Sequence, residues 1–228
     1  MTEPRLEVRD APGGTRAVAL FCHGGTVSSV EPPRERALSL VRMRAIEQFV
    51  ASPGGSLGLT TCLLRYRVAG WNGEAADAFA DVRWALDRIT AEYGDVPVVL
   101  VGHSMGGRAV LRAGGGDAVR AVCALAPWTP AGEPVTQLRG RTVAILHGRG
   151  DRWVPAALSA DYAARAQAAG VRVARFTVIG GHSMIRRSLL WHTFVRDVVL
   201  AGAGLADLRP DIAAALERAD AEALAVPL

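Results

Sequence analysis

Short runs of β-branched and apolar residues alternate with longer amphipathic stretches along most of this 228-residue chain, and that alternation is what most constrains its fold. The apolar runs are Ala17 to Cys22, Leu59 to Leu64, Val96 to Val101, Ala118 to Leu125, Thr142 to Leu146 and Val171 to Val178. Each reads as a buried strand. The stretches between them, Arg34 to Val50, Glu74 to Tyr93, Met105 to Ala113, Ala156 to Ala169 and Ile185 to Leu200, have helical spacing. In the second of these, Ala78, Val82, Ala85, Leu86 and Ile89 mark a dry face, and Asp77, Asp81, Arg83, Asp87 and Arg88 fill the wet one. Strands buried on both sides and separated by helices predict an α/β fold, a mostly parallel sheet with helices on both faces. Leu6 to Arg9, followed by the Pro12-Gly13-Gly14 turn, is expected to add an antiparallel edge strand. Asp207 to Leu228 reads as one more amphipathic helix and a tail. With no repeat and no long linker, residues 1–228 are expected to form a single domain.

Composition removes several function classes. All 26 basic residues are arginine, and without lysine there is no Schiff-base nucleophile, no pyridoxal anchor and no phosphate-loop lysine. The net charge of +4 comes from arginines scattered along the chain, so no nucleic acid partner is expected. Cys22, Cys62 and Cys123 each sit in an apolar run and read as buried, reduced thiols rather than disulfide or metal ligands. The five histidines lack the short spacing of zinc sites, so neither metal nor cofactor is expected. The charged N-terminus and the lack of a run near the roughly 18 apolar residues of a membrane span predict a cytoplasmic protein without a membrane partner.

In a parallel sheet, sites form at the carboxyl ends of the strands. After Val96 to Val101 comes GHSMGG, which fits the G-x-S-x-G turn that holds a nucleophilic serine between strand and helix. Ser104 is the candidate nucleophile. Side chains at Gly102 and Gly106 are expected to collide with the neighbouring strand and helix. A serine hydroxyl needs a base, and the base needs a carboxylate to fix its tautomer. Asp151, in HGRGDRWVP, and His182, in IGGHSM, follow the next strands in the order this turn requires. Alone, Asp151 would read equally well as a helix cap or turn residue, and His182 as a surface loop histidine. The backbone N–H of Met105, with that of Gly25 in the His23-Gly24-Gly25-Thr26 loop, is expected to bind the oxyanion. Gly24 and Thr26 are the alternatives to Gly25. His23, His103, His147 and His192 read as structural.

These motifs, FCHGG, LRYRVAGWNG, GHSMGG, LHGRGDRWVP and GGHSM, resemble those of the α/β-hydrolase superfamily from about Ala17 to Leu200. The resemblance implies a serine acyl-enzyme mechanism on Ser104, Asp151 and His182. It also implies two departures from the family pattern. Only about Ala126 to Arg141 is available where many members carry a cap, so no large cap is expected, and the opening strands look abbreviated. Trp71, Trp128 and Trp153 follow predicted strands on the side of Ser104 and are candidate pocket residues, with Val27 to Arg36 as a mobile rim. Arg67 and Arg152 are further candidates for an anionic substrate group. The expected partner is a small or medium carboxylic ester. A thioesterase or acyltransferase on the same residues, and a non-catalytic small-molecule receptor, are the competing readings.

Overall fold

The computed structural model describes residues 3–228. Its strands are β1 (Arg5–Arg9), β2 (Ala17–Cys22), β3 (Leu59–Arg65), β4 (Val98–His103), β5 (Val119–Leu125), β6 (Thr142–Gly148), β7 (Arg172–Val178) and β8 (Val226–Pro227). The helices are α1 (Leu38–Gly55), α2 (Asp77–Tyr93), α3 (Met105–Ala113), α4 (Ala156–Ala168), α5 (Ser188–Gly202) and α6 (Pro210–Glu217). The strands make one eight-stranded sheet in the order β1-β3-β2-β4-β5-β6-β7-β8. Only β1 runs antiparallel, with Leu6 opposite Leu64. Successive residues of a strand point to opposite faces, and here both faces are dry. Ala17, Ala19 and Phe21 of β2 enter a core with α1, α5 and α6, whereas Val18, Leu20 and Cys22 enter a second core with α2, α3 and α4. All three cysteines are free and buried, as the sequence suggests.

Where element ends shift, a tertiary contact is the cause. α1 starts at Leu38 rather than Arg34. Upstream of it the Glu35 carboxylate is drawn to the buried Arg65, accepting bonds of 2.6 and 3.0 Å, which holds this segment against the sheet. Asp81, placed on the wet face of its helix by spacing, is buried and accepts from the Arg67 N–H at 2.8 Å and from Arg67 Nε at 2.5 Å. The same pair takes Arg67 away from any substrate role. The C-terminal stretch departs most from expectation. α6 is only a short helix, and the tail returns as β8, pairing Val226 with Phe176 and covering the outer edge of β7, which would otherwise carry unpaired backbone groups.

The β5–β6 connection, residues 126–141, is pinned to α3 instead of forming a cap. Its Glu133 side chain is buried and accepts from Arg108 Nε and Arg112 Nε, both at 2.6 Å. The Arg108 guanidinium lies 3.8 Å from the Trp71 ring centre and 4.7 Å from that of Trp128. Trp71 is therefore a buried packing residue under Arg108, not a pocket residue, which corrects the sequence expectation. Removing the shared carboxylate leaves two partly buried guanidinium groups without a counter-ion. Glu133→Ala is expected to cost about 3–5 kcal/mol of stability, measured by urea unfolding.

Candidate active site

The turn from β4 into α3 places Ser104 at φ 56° and ψ −117°, a strained backbone for a residue with a side chain. Two glycines permit it. A Cβ on Gly102 would lie 2.3 Å from the Gly106 carbonyl oxygen, and one on Gly106 would lie 2.4 Å from that of Cys22 at the end of β2. The collisions expected from the sequence are thus with the following helix and the adjacent strand. The Ser104 N–H donates to Leu125 O at 3.0 Å, and its carbonyl accepts from the N–H of Arg108 and of Trp128, both at 3.1 Å. The turn is fixed on three sides.

Asp151 follows β6 and His182 follows β7, and backbone bonds press their loops together: Arg149 N–H to Val178 O at 2.8 Å and Gly150 N–H to Gly180 O at 2.9 Å. The three side chains meet. His182 Nε2 is 2.9 Å from Ser104 Oγ, and His182 Nδ1 is 2.6 Å from Asp151 Oδ2. With the proton on Nδ1 donated to the carboxylate, Nε2 is left to accept from the serine hydroxyl. Burial alone would raise the Asp151 carboxyl. Donors from His147, His182 and the N–H groups of Val154 and Trp153 outweigh it and hold the carboxyl well below the ordinary carboxylate range.

His147 is nearer the chemistry than its reading as a structural histidine suggests. It is fully buried, with Nε2 3.2 Å from Asp151 Oδ2 and 3.1 Å from Val154 O, and Nδ1 2.8 Å from Ser159 Oγ. Arg175 Nε, also buried, donates to Ser159 Oγ at 2.9 Å. A polar chain thus runs from Arg175 through Ser159 and His147 to the carboxylate. His23 and His103 do hold the loops. His23 Nδ1–H donates to Gly24 O at 2.7 Å and His103 Nε2–H to His182 O at 2.9 Å. Burial lowers His23 to about 4 and, with the neighbouring His182, lowers His103 to about 3.

Gly25 packs directly on Met105: a Cβ there would lie 2.5 Å from the Met105 methyl and 2.3 Å from Ala69 O. Neither its N–H nor that of Met105, the first residue of α3, finds an acceptor among the described residues. Above Ser104 opens a cavity of about 440 Å³. Its apolar wall includes Val27, Leu38, Met105, Trp128, Trp153 and Val154. Trp153 is 80% exposed, with its ring 5.8 Å from that of His182, so it forms a rim rather than a floor. Of the Val27 to Arg36 segment only Val27 reaches the cavity. That segment is strapped to the loop after β3 by Asn72 Oδ1, which accepts from Ser29 N–H at 2.9 Å, and by Asn72 N–H, which donates to Val27 O at 3.1 Å. The sequence reading missed Leu38, Ser39 and Arg42, which line the cavity from the start of α1. Arg152 lies outside it. No cluster of His, Cys, Asp or Glu among the described residues is arranged to hold a metal, and no described helix is long and apolar enough to cross a membrane.

The family model for the alpha/beta hydrolase fold matches residues 20–169, a span that includes Ser104 and Asp151. The chain belongs to the α/β-hydrolase family. No curated protein sequence matches it significantly. Among solved structures, this α/β hydrolase is similar to Est1E from Butyrivibrio proteoclasticus with ferulic acid bound, at 14% identity and a TM-score of 0.65, over 88% of this chain and 96% of that one. It is also similar to a serine hydrolase from Xanthomonas campestris described as having no lid, at 17% identity and a TM-score of 0.55, over 90% and 95% of the two chains. An esterase from Pyrococcus furiosus matches at 15% identity and a TM-score of 0.65, over 87% and 85%. The similarity to a lidless structure agrees with the short β5–β6 connection seen here.

The depressed histidines set a pH dependence of stability. The ordinary value of 6.5 applies to the unfolded chain, which therefore takes up protons as pH falls below about 6.5, while buried His23 and His103 stay neutral down to about 4 and about 3. Their contribution to stability is full above pH 6.5 and is lost as pH falls toward about 4 for His23 and about 3 for His103; Asp151 adds a loss in the same direction at still lower pH. Thermal melts across this range are expected to show the decline, with a shallower slope in His23→Gln.

Proposed function

We propose that this chain is a serine hydrolase that cleaves small or medium carboxylic esters through an acyl-enzyme, and that it works as one unit. The observation that carries the reading is the unbroken bonding from Ser104 Oγ through His182 to a buried, ionised Asp151. In this mechanism His182 Nε2 takes the Ser104 proton as Oγ attacks the ester carbonyl carbon. The carbonyl oxygen becomes an anion facing the free N–H groups of Gly25 and Met105. Collapse of the tetrahedral intermediate breaks the ester C–O bond, and His182 returns the proton to the leaving alcohol. Water, deprotonated by the same nitrogen, then releases the acid and restores Ser104. Asp151 keeps the imidazole in the productive tautomer and stabilises its charged form, while His147 holds Asp151 from behind.

Fluorophosphonate labelling read by intact mass and peptide mapping, beside turnover of p-nitrophenyl esters of increasing chain length, tests the reading. One adduct per chain on the Ser104 peptide, absent in Ser104→Ala, is expected together with ester turnover. Folded protein that neither labels nor turns over any ester would refute it. Asp151→Asn is expected to lower kcat by roughly three to four orders of magnitude through loss of tautomer control. His147→Ala removes one charge-assisted bond to Asp151, and kcat should fall about ten- to hundredfold with little change in KM.

A further inference from the structure

The wall of the cavity contains no Asp or Glu, and Arg42 is its one arginine. Arg42 forms no ion pair among the described residues. Its Nη2 donates to Met184 O at 2.7 Å and lies 3.5 Å from His192 Nε2, and among the described residues its buried Nε has no partner and its Nη1 no bond. This cation is placed close to the chemistry from two directions. On α1 it sits one turn after Leu38 and Ser39, and Ser39 Oγ donates to Gly24 O at 2.9 Å beside the proposed oxyanion loop. Through Met184 it is tied to the loop that carries His182.

A desolvated guanidinium is normally matched by a carboxylate. Elsewhere in this chain that is what happens: Arg108 and Arg112 share Glu133, and Arg65 takes Glu7 and Glu35. Arg42 and the buried Arg175 are the exceptions, and Arg42 is the one that faces the cavity. The loops of Asp151 and His182 add exposed Arg149, Arg152 and Arg186, none of them in an ion pair among the described residues. The cavity wall and the loops at its rim thus present arginines that no carboxylate among the described residues pairs with.

Building on the hydrolase reading above, we propose that the cavity selects esters bearing a second, ionised carboxylate, and that Arg42 is the specificity-determining residue that receives it. The guanidinium pairs with the carboxylate through its unbonded Nη1, while the apolar wall takes the intervening carbons.

The test compares kcat/KM for p-nitrophenyl half-esters of adipic and suberic acid with p-nitrophenyl hexanoate and octanoate. A second arm, 4-carboxyphenyl butyrate against phenyl butyrate, puts the charge on the alcohol side. Wild type is expected to favour the anionic member of at least one arm by about tenfold or more, with a preference that shrinks as salt rises. Arg42→Gln should erase this ratio and Arg42→Lys should restore part of it, whereas loss of the Met184 bond alone would depress both members equally. Neutral esters turned over as well as anionic ones, or a preference that survives Arg42→Gln, overturns this proposal and leaves the hydrolase reading standing. No turnover of any ester overturns both.

Discussion

A serine held at φ 56° and ψ −117° is the constraint on which the site depends. Such a backbone is unfavourable by on the order of 1–3 kcal/mol, and it persists only where the surroundings leave no alternative. Here they leave none. β4 ends, α3 begins within one residue, and α3 packs so close to the end of β2 that Gly106 has no room for a methyl group. The same approach brings the loop after β2 against the start of α3. The N–H groups of Gly25 and Met105, without acceptors among the described residues, are therefore brought to the cavity that Ser104 also lines, as a consequence of the turn. One local strain, fixed by core packing, brings Ser104 to the cavity and positions the backbone donors proposed to meet the oxyanion.

The second dependency is electrostatic. A fully buried carboxylate would normally become protonated, and Asp151 instead stays ionised because four donors converge on it. Two come from backbone N–H groups of its own turn, and one comes from His147, four residues before it. Behind His147 stand Ser159 on α4 and Arg175 on β7, a buried guanidinium bonded only to a hydroxyl and two backbone carbonyls. Arg175 has no carboxylate of its own, and Asp151 is the charge at the far end of its bonding chain. The order of this side of the sheet, including the segment just before β8 whose Leu224 O accepts from Arg175, is thereby coupled to Asp151.

Much of this was legible in the sequence, for identifiable reasons. Strands buried on both faces read as unbroken apolar runs, so β2, β5 and β7 fall within a residue of their expected ends. The Ser104, Asp151 and His182 positions are legible only together: each follows a strand in the order the serine turn requires, whereas alone Asp151 reads as a cap or turn residue and His182 as a surface histidine. What did not follow from local pattern needed distant contacts. Trp71 was misplaced because neither Arg108 nor Arg112, whose guanidinium groups lie over its ring, is near it in sequence. The β8 strand has only two residues, below any periodic signal, and exists because β7 offers an open edge. In the sequence Arg42 is one of 26 arginines with nothing to single it out. Its significance lies in lacking a carboxylate partner among the described residues, a property that only the assembled chain displays.

The short β5–β6 connection decides how water relates to the site. Where a cap would fold over the serine, Glu133 draws residues 126–141 down onto α3, and the cavity is roofed only by side chains such as Trp128 and the exposed Trp153. Transfer of an acyl group to another alcohol or amine requires that water be kept from the acyl-enzyme, and a rim this open does not keep it out. Within the proposed chemistry, water is therefore the favoured acyl acceptor. The same openness leaves recognition to what the walls can hold, an apolar run of a few carbons and a single uncompensated positive charge.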